Sequence, residues 1–290
     1  MSAFIKKMLF HLSEKLGIGE VRRTLASAHA LSIEDFLNAN LYTSESAQDP
    51  KWLGRFERQI YSQGGEDGVL EEIFNRIGTT TNKHFVEFGV SQGTENNTAY
   101  LLMSGWKGLW LEGSEKFYVS IQKNFAPLIE NGFLVARNAF ITAENIENYF
   151  KENVVPSEPD LLSIDIDGND YWIWKAITNY KPRVLVIEYN SLLGPTQLVV
   201  MPYKPDWVWD RKMHFNSGLK AYELLGKEKG YSLVYCNIIG NNAFFVRNDV
   251  MGDMFSGPFT SENFFQSSKL FLLRPIRYGR SFKVLERVGE

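Results

Sequence analysis

An acidic residue and two glycines follow a short apolar run in His84-Phe-Val-Glu-Phe-Gly-Val-Ser-Gln-Gly93. Glu87, near the end of a predicted strand, can bind a cationic or hydroxylated group, and Gly89 lets the backbone approach that ligand. Ser91 lies in the same turn, and Gly93 permits a tight entry into a helix. The spacing differs from the Gly-x-Gly-x-x-Gly turn of a dinucleotide pyrophosphate site. It favours an aminoacyl sulfonium over a phosphate, and a purely structural turn is the alternative.

A second carboxylate, Glu112, ends the next predicted strand, 25 residues after Glu87. An acidic side chain at this place can accept hydrogen bonds from both hydroxyls of a ribose. Two carboxylates at consecutive strand ends therefore fit S-adenosylmethionine as the cofactor. The alternative is that each carboxylate only caps the helix that follows it.

Further carboxylates lie at the end of the predicted strand in Leu161-Leu-Ser-Ile-Asp-Ile-Asp-Gly-Asn-Asp170, and others end the neighbouring strand. Open parallel sheets bind ligands at this edge. Oxygen ligands of this kind suit Mg²⁺ or another divalent cation, which would acidify a sugar hydroxyl. The candidate metal ligands are Asp165, Asp167, Glu188 and Asn190. Alternatively, Asp165 contacts the cofactor, Asp167 caps the turn and Asp170 caps a helix.

Methyl transfer from a sulfonium to a hydroxyl requires a base beside the acceptor. The chain has four histidines. Three of them fall in predicted N-terminal helices or at the start of a buried strand, so His214 is the best histidine candidate. A lone histidine is more often structural. Asp167 and Asp170 compete with it for the catalytic role.

Residues 190–216 form a predicted insertion at the ligand edge of the sheet. It contains Tyr203, Trp207 and Trp209 among charged residues. Aromatic faces beside polar groups are typical of saccharide sites, since sugar C–H faces stack on rings. Core packing by the same rings is the alternative.

Short apolar runs alternate with amphipathic stretches from residue 60 onwards, which predicts an α/β fold with mostly parallel strands joined by helices. Helices are expected to begin after Thr94, Ser114 and Thr142, and another spans Leu219 to Lys229. The last two strands are predicted to form an antiparallel hairpin around the Asn-rich turn 240–242. The predicted strands are 84–88, 108–112, 133–136, 161–165, 184–188, 231–236 and 243–247.

The polar segment 43–50 is the best linker candidate. We therefore expect an N-terminal helical extension with linker over 1–50, a catalytic domain over 51–250 that includes the insertion, and a basic C-terminal extension over 251–290.

The composition excludes several classes of protein. The 290 residues carry a net charge of -3, with 44% apolar residues, so the chain is neither disordered nor basic enough to favour nucleic acid as a partner. The single cysteine, Cys236, cannot form an internal disulfide and lies in an apolar run, where it reads as a small core residue. A cytoplasmic protein is expected. No secretory signal is recognisable in the first 20 residues.

The charge is unevenly distributed. Residues 1–23 carry net charge +3 and residues 269–290 carry +4, so the centre is acidic. Both ends also contain apolar residues, and they could dock on an anionic membrane surface, placing the protein at its inner face, or on a partner protein. Solvated charges around ordinary helix packing are the alternative.

Five motifs together resemble the FkbM-type methyltransferases over about residues 58 to 250. They are Tyr61-Ser-Gln-Gly-Gly-Glu-Asp67, Phe85-Val-Glu-Phe-Gly89, Gly105-Trp-Lys-Gly-Leu-Trp-Leu-Glu112, Leu162-Ser-Ile-Asp-Ile-Asp-Gly-Asn-Asp170 and Asn242-Ala-Phe-Phe-Val-Arg247. The resemblance implies a Rossmann-like class I methyltransferase fold, with a seven-stranded sheet whose last strand is antiparallel. It also implies S-adenosylmethionine as cofactor and a saccharide or other natural-product hydroxyl as acceptor.

The resemblance further implies roles for individual residues. Gln63 would lie over the cofactor, Glu87, Gly89 and Gly93 would hold its methionine end, and Glu112 its ribose. Asp167 and Asp170 stand where many members of the family have Glu, so the acceptor chemistry can differ. A homo-oligomer is compatible with the sequence.

Two other functions compete with a methyltransferase. A nicotinamide-dependent oxidoreductase would share the sheet and the ribose carboxylate, but the Gly-x-Gly-x-x-Gly turn is missing. A degenerate cofactor-binding module could instead act in assembly, with the N-terminal helices as its docking surface.

Overall fold

A computed structural model of the chain describes residues 17–210, 212 and 215–273. The candidate base His214 lies outside the described residues, as do most of the basic residues at the two ends of the chain. The described part divides into two compact units, the first ending at Gln48 and the second beginning at Asp49.

The first unit is built on one long helix, α1 (Ile18–Leu37). A π-helical turn (Asn38–Tyr42) and a 3₁₀ turn (Glu45–Gln48) follow it. Ile33, Leu41 and Ala47 are buried within this unit. None of the described helices is both long enough and apolar enough to cross a membrane.

A seven-stranded sheet forms the centre of the second unit, with strand order β3-β2-β1-β4-β5-β7-β6. Strand β7 runs antiparallel to both of its neighbours, and the other pairs are parallel. The predicted mostly parallel α/β sheet and its terminal hairpin are therefore confirmed. The strands are β1 (His84–Phe88), β2 (Lys107–Glu112), β3 (Leu134–Asn138), β4 (Leu161–Ile164), β5 (Val184–Glu188), β6 (Tyr231–Cys236) and β7 (Asn242–Arg247).

Helices join the strands of this unit, and two of them begin later than predicted. The helix expected after Thr94 begins at Ala99, and the one expected after Thr142 begins at Ile146. In the second case the Asn145 side chain accepts a hydrogen bond from the Thr142 N–H at 2.8 Å, which closes a turn first. The helices are α2 (Glu66–Ile77), α3 (Ala99–Met103), α4 (Glu115–Asn124), α5 (Ala126–Glu130), α6 (Ile146–Glu152), α7 (Asp170–Ala176), α8 (Leu219–Lys229), α9 (Asn248–Met251) and α10 (Ser261–Phe264), with 3₁₀ turns at Leu53–Phe56 and Leu270–Leu272.

Most residues of the strands are apolar and buried, because helices cover both faces of a parallel sheet. Phe85, Trp110 and Trp174 are almost completely buried in its core, and so is Cys236, as predicted. The carboxyl ends of β1, β2, β4 and β5 lie at one edge, since these strands are parallel neighbours. The sheet therefore gathers the carboxylates of separate sequence motifs along that edge.

Candidate functional site

A cavity of about 990 Å³ opens at the carboxyl edge of the sheet. Open α/β sheets place their ligands at this edge. Residues from the predicted cofactor motifs and from the predicted acceptor side both line it. Those predicted from the sequence are Gln63, Glu87, Gly89, Ser91, Glu112, Asp165, Asp167 and Glu188.

Glu87 holds the turn that precedes α3. Its carboxylate accepts hydrogen bonds from the backbone N–H groups of Asn97 and Thr98, at 2.9 and 3.1 Å, and from the side chains of Asn96, Thr98 and Ser163. Burial raises the pKa of Glu87, and these donors oppose that effect. Five donors fill the two carboxylate oxygens. Glu87 therefore positions the cofactor turn, and α3 starts late because this carboxylate holds residues 96–98 in a turn.

The two glycines of the turn are required by close packing within the protein. Gly89 has φ of 71°, and a Cβ there would lie 1.5 Å from the carbonyl oxygen of Asp165. Gly93 has φ of 74°, and its Cβ would lie 2.6 Å from the Trp110 ring. Gly89 thus lets the ends of β1 and β4 approach each other, which shapes the centre of the cavity.

Glu112 connects the ends of β1 and β2. Its Oε2 accepts a hydrogen bond from the Ser91 N–H at 2.8 Å, and its Oε1 accepts one from the Ser114 N–H at 2.7 Å. Burial raises the pKa of Glu112. Each carboxylate oxygen can accept a further hydrogen bond, because each has two lone pairs. Unlike Glu87, Glu112 has capacity left for the two hydroxyls of a ribose.

The Ser62-Gln-Gly-Gly-Glu-Asp67 motif forms a loop that brings Gln63 to the cavity. Asp67 Oδ2 accepts hydrogen bonds from the backbone N–H groups of residues 60–62, at 2.6 to 2.8 Å. Glu66 accepts one from the Gly64 N–H and two from the side chains of Asn237 and Asn242. The two acidic residues of the motif thus fix the loop, a role that the sequence analysis did not assign to them.

Three carboxylates cluster on the opposite wall, where one oxygen each of Asp165, Asp167 and Glu188 lies within 4.8 Å of the others. Burial raises the pKa values of Asp165 and Glu188 well above the usual range, and repulsion among the three adds to the effect. This set suits a cation, because positive charge would relieve both penalties.

Asn190, the fourth predicted metal ligand, uses both polar atoms of its side-chain amide in hydrogen bonds to the insertion. Its Nδ2 donates to the Phe215 carbonyl at 2.8 Å, and its Oδ1 accepts from the Leu192 N–H at 3.1 Å. Asn190 thus anchors the start of the insertion at the end of β5.

The two candidate aspartate bases lie in different places. Asp170 is fully buried and accepts hydrogen bonds from the N–H groups of Ile166 and Gly168, at 3.1 and 2.9 Å. Burial raises the pKa of Asp170 to about 7. It closes the turn and does not line the cavity. Asp167 lines the cavity with φ of 58°, and its carboxylate accepts no hydrogen bond from the part of the chain that the structure describes.

The insertion packs on this turn and forms the outer wall. Trp207 Nε1 donates to the Asp167 carbonyl at 3.0 Å, and Asn169 Nδ2 donates to the Lys204 carbonyl at 2.7 Å. The Trp209 and Phe215 rings lie 6.0 Å apart at the same wall. The predicted aromatic insertion therefore lines the cavity next to the turn that carries Asp167.

Comparisons with known proteins give only weak similarity. No protein-family model matches the chain, and no curated protein is significantly similar to it. Among solved structures, M. capricolum TrmK in complex with S-adenosyl-homocysteine is 12% identical over 68% of this chain and 74% of that one, with a TM-score of 0.40.

Two further solved structures are similar at the same level. A putative S-adenosylmethionine-dependent methyltransferase from Listeria monocytogenes is 10% identical over 63% of this chain and 97% of its own, with a TM-score of 0.41. An O-methyltransferase from Bacillus cereus in complex with S-adenosyl-homocysteine is 16% identical over 77% and 89%, with a TM-score of 0.39. The description of the fold therefore rests on the strand order of the sheet itself.

Proposed function

We propose that the protein is an S-adenosylmethionine-dependent O-methyltransferase of the FkbM type. The observation that carries this proposal is Glu112, a cavity carboxylate at the end of β2 with one free acceptor site on each oxygen. Such a group matches a pair of ribose hydroxyls. The turn after β1 lies beside it and lacks the Gly-x-Gly-x-x-Gly spacing of a pyrophosphate site. The five sequence motifs support the same family.

The residues on the cofactor side of the cavity offer acidic and hydrogen-bonding groups that suit this molecule. Glu112 would bind the ribose, Gln63 would cover the cofactor, and the turn held by Glu87 would receive the methionine end. Gly89 lets the ends of β1 and β4 approach each other closely beside this turn. When bound, the cofactor supplies a methyl group on a positively charged sulfur.

Asp167 is our candidate for the base. Its carboxylate opens onto the cavity, and burial raises its pKa, so it can take up the proton that an acceptor hydroxyl loses. With the cofactor bound, the acceptor oxygen would bond to the methyl carbon, and the bond from that carbon to sulfur would break. Trp207 limits the motion of Asp167 through its carbonyl. Asp170 is a positioning residue that holds the turn.

We propose a saccharide or glycosylated metabolite as the acceptor. Trp207, Trp209 and Phe215 line the same cavity as the carboxylates, and aromatic rings beside polar groups suit a sugar ring. A positive charge beside Asp165, Asp167 and Glu188 would offset the repulsion among these three carboxyls. Either Mg²⁺ or another divalent cation, or a cationic group of the acceptor, can supply it.

Calorimetry of the full chain tests the cofactor assignment. S-adenosylhomocysteine should bind with a stoichiometry of one, and NADH should not bind. NADH binding without S-adenosylhomocysteine binding would contradict the proposal and favour an oxidoreductase. Transfer of a labelled methyl group to a panel of saccharides then identifies the acceptor, and repeating the assay with a chelator tests the divalent cation.

A further inference from the structure

The charged side chains among the described residues that line the cavity are all acidic. Six carboxylates line it, and no Lys, Arg or His occurs among the lining residues that the structure describes. Three of the carboxylates, Glu87, Glu95 and Glu112, lie on the cofactor side, and Asp165, Asp167 and Glu188 lie on the acceptor side. An acceptor with a phosphate would meet repulsion from these carboxylates and would find no cationic partner among the described lining residues. The charge therefore selects against phosphorylated sugars.

Two buried amide oxygens beside Glu188 have no hydrogen-bond partner. Asn216 and Asn242 are each 4% exposed, and the Oδ1 atom of each is unpaired. Asn216 Nδ2 donates to Glu188 Oε2 at 2.5 Å, and Asn242 is the register partner of Glu188 in the sheet. Asn242 also lines the cavity. Both orphan atoms are acceptors, and the Asn216 amide N–H beside them is already donated to Glu188.

Aromatic rings complete the surroundings of the carboxylates. The Trp207 indole lies over the turn at Gly168, where an added Cβ would be 2.4 Å from the ring. Trp209 lies on the same wall. The face of an indole ring attracts organic cations, and a protonated amine can make this contact directly. A hydrated metal ion prefers a shell of oxygens and gains little from a ring.

From these observations, and on the basis of the proposed function, we infer that the acceptor carries a protonated amine, which the Asp165–Glu188 pair binds. An ammonium brings three N–H donors and one positive charge to a site where three carboxyls cluster and the unpaired amide atoms are acceptors. Asp167 then remains available for the hydroxyl that is methylated. The acceptor class is an amino sugar or an aminated glycoside, and phosphorylated or nucleotide-linked sugars are excluded.

Three probes of similar size separate charge from ring shape. Glucosamine carries the amine, N-acetylglucosamine has the same ring without the charge, and glucose 6-phosphate carries the opposite charge. Binding to the full chain saturated with S-adenosylhomocysteine is measured by calorimetry or ligand-observed NMR. We expect glucosamine to bind at least about tenfold more tightly than either other probe.

Two variants locate the effect. Glu188→Gln should remove the preference for glucosamine, whereas Glu95→Gln, a cavity carboxylate on the cofactor side, should keep it. Equal affinity for glucosamine and N-acetylglucosamine, tighter binding of the phosphate, or no glucosamine binding would overturn the inference. The inference would also be overturned if Mg²⁺ bound to the wild-type protein, failed to bind to Glu188→Gln, and displaced glucosamine from the wild type. Binding of S-adenosylhomocysteine is recorded in the same samples, and its absence would instead remove the proposed function.

Discussion

The indole N–H of Trp207 donates a hydrogen bond to the carbonyl oxygen of Asp167 at 3.0 Å. This bond ties the insertion after β5 to the turn after β4, although the two residues are 40 positions apart. Asp167 has a left-handed backbone, which costs energy for a residue other than glycine. Trp207 therefore helps to hold the candidate base in a strained position that opens onto the cavity.

Gly168→Ala tests this contact. The new Cβ would lie 2.4 Å from the Trp207 ring, so the indole must move and its hydrogen bond should be lost. We expect the free energy of unfolding to fall by about 1–3 kcal/mol and the affinity for S-adenosylhomocysteine to stay unchanged. Urea denaturation and calorimetry measure the two effects. Gly194→Ala is the control, since no atom lies within 4 Å of its added Cβ. Equal stability of the two variants would contradict the assigned role of Trp207.

Gly89→Ala should lower the free energy of unfolding more than a typical Gly→Ala change at a glycine with positive φ. Gly89 combines φ of 71° with a Cβ position 1.5 Å from the Asp165 carbonyl oxygen, so β1 and β4 must separate. Gly105→Ala is the matched control, because it has φ of 86° but nothing within 4 Å. The control should lose about 1–2 kcal/mol of stability, and Gly89→Ala should lose more than that and bind S-adenosylhomocysteine weakly. Denaturation that ranks the two variants equally would show that the close approach is unimportant.

Glu112→Gln should weaken binding of S-adenosylhomocysteine by about 1–3 kcal/mol, since an amide offers one acceptor oxygen in place of two and no charge. Part of the loss comes from the Ser91 or Ser114 N–H that faces the new NH₂ group. The matched variant Glu95→Gln, an exposed cavity carboxylate, should bind almost as well as wild type. Calorimetry compares the two dissociation constants. Unchanged affinity in Glu112→Gln would remove this residue from the cofactor site.

Local patterns predicted the sheet well because its strands are short apolar runs, and β1 and β5 have the bounds expected from sequence. The predicted starts of two helices were wrong. In α3 the contact that delays the helix comes from a distant residue, because Glu87 of β1 holds residues 96–98 in a turn. In α6 the Asn145 side chain closes a turn before the helix begins. The same limit applies to the site. Its carboxylates could be recognised from their residue types. The sequence did not reveal which of these carboxylates already have all their acceptor sites occupied by hydrogen bonds within the protein. Glu87 and Glu112 look alike in sequence, and only the fold gives Glu87 five donors and leaves Glu112 with free acceptor sites.

Glu57 should make the protein less stable as the pH rises from about 5 to 8. Burial raises the pKa of this carboxyl to about 8, against hydrogen bonds from the Tyr235 hydroxyl and the Ile238 N–H, both at 2.6 Å. In this interval the folded protein keeps the proton, whereas the unfolded chain, with a pKa near 4.5, has lost it. Stability must then fall with rising pH and level off above the folded pKa.

Glu57→Gln isolates this contribution from the other buried carboxyls. A glutamine Oε1 can accept both hydrogen bonds and does not titrate, so the variant should lose less stability between pH 5 and 8 than wild type. The difference is on the order of 1.4 kcal/mol for each unit of pKa shift that is removed. Thermal and urea denaturation across the pH series measure it, with Glu95→Gln as the control that should follow wild type. Parallel pH profiles for wild type and Glu57→Gln would mean that Glu57 is ionised in the folded protein.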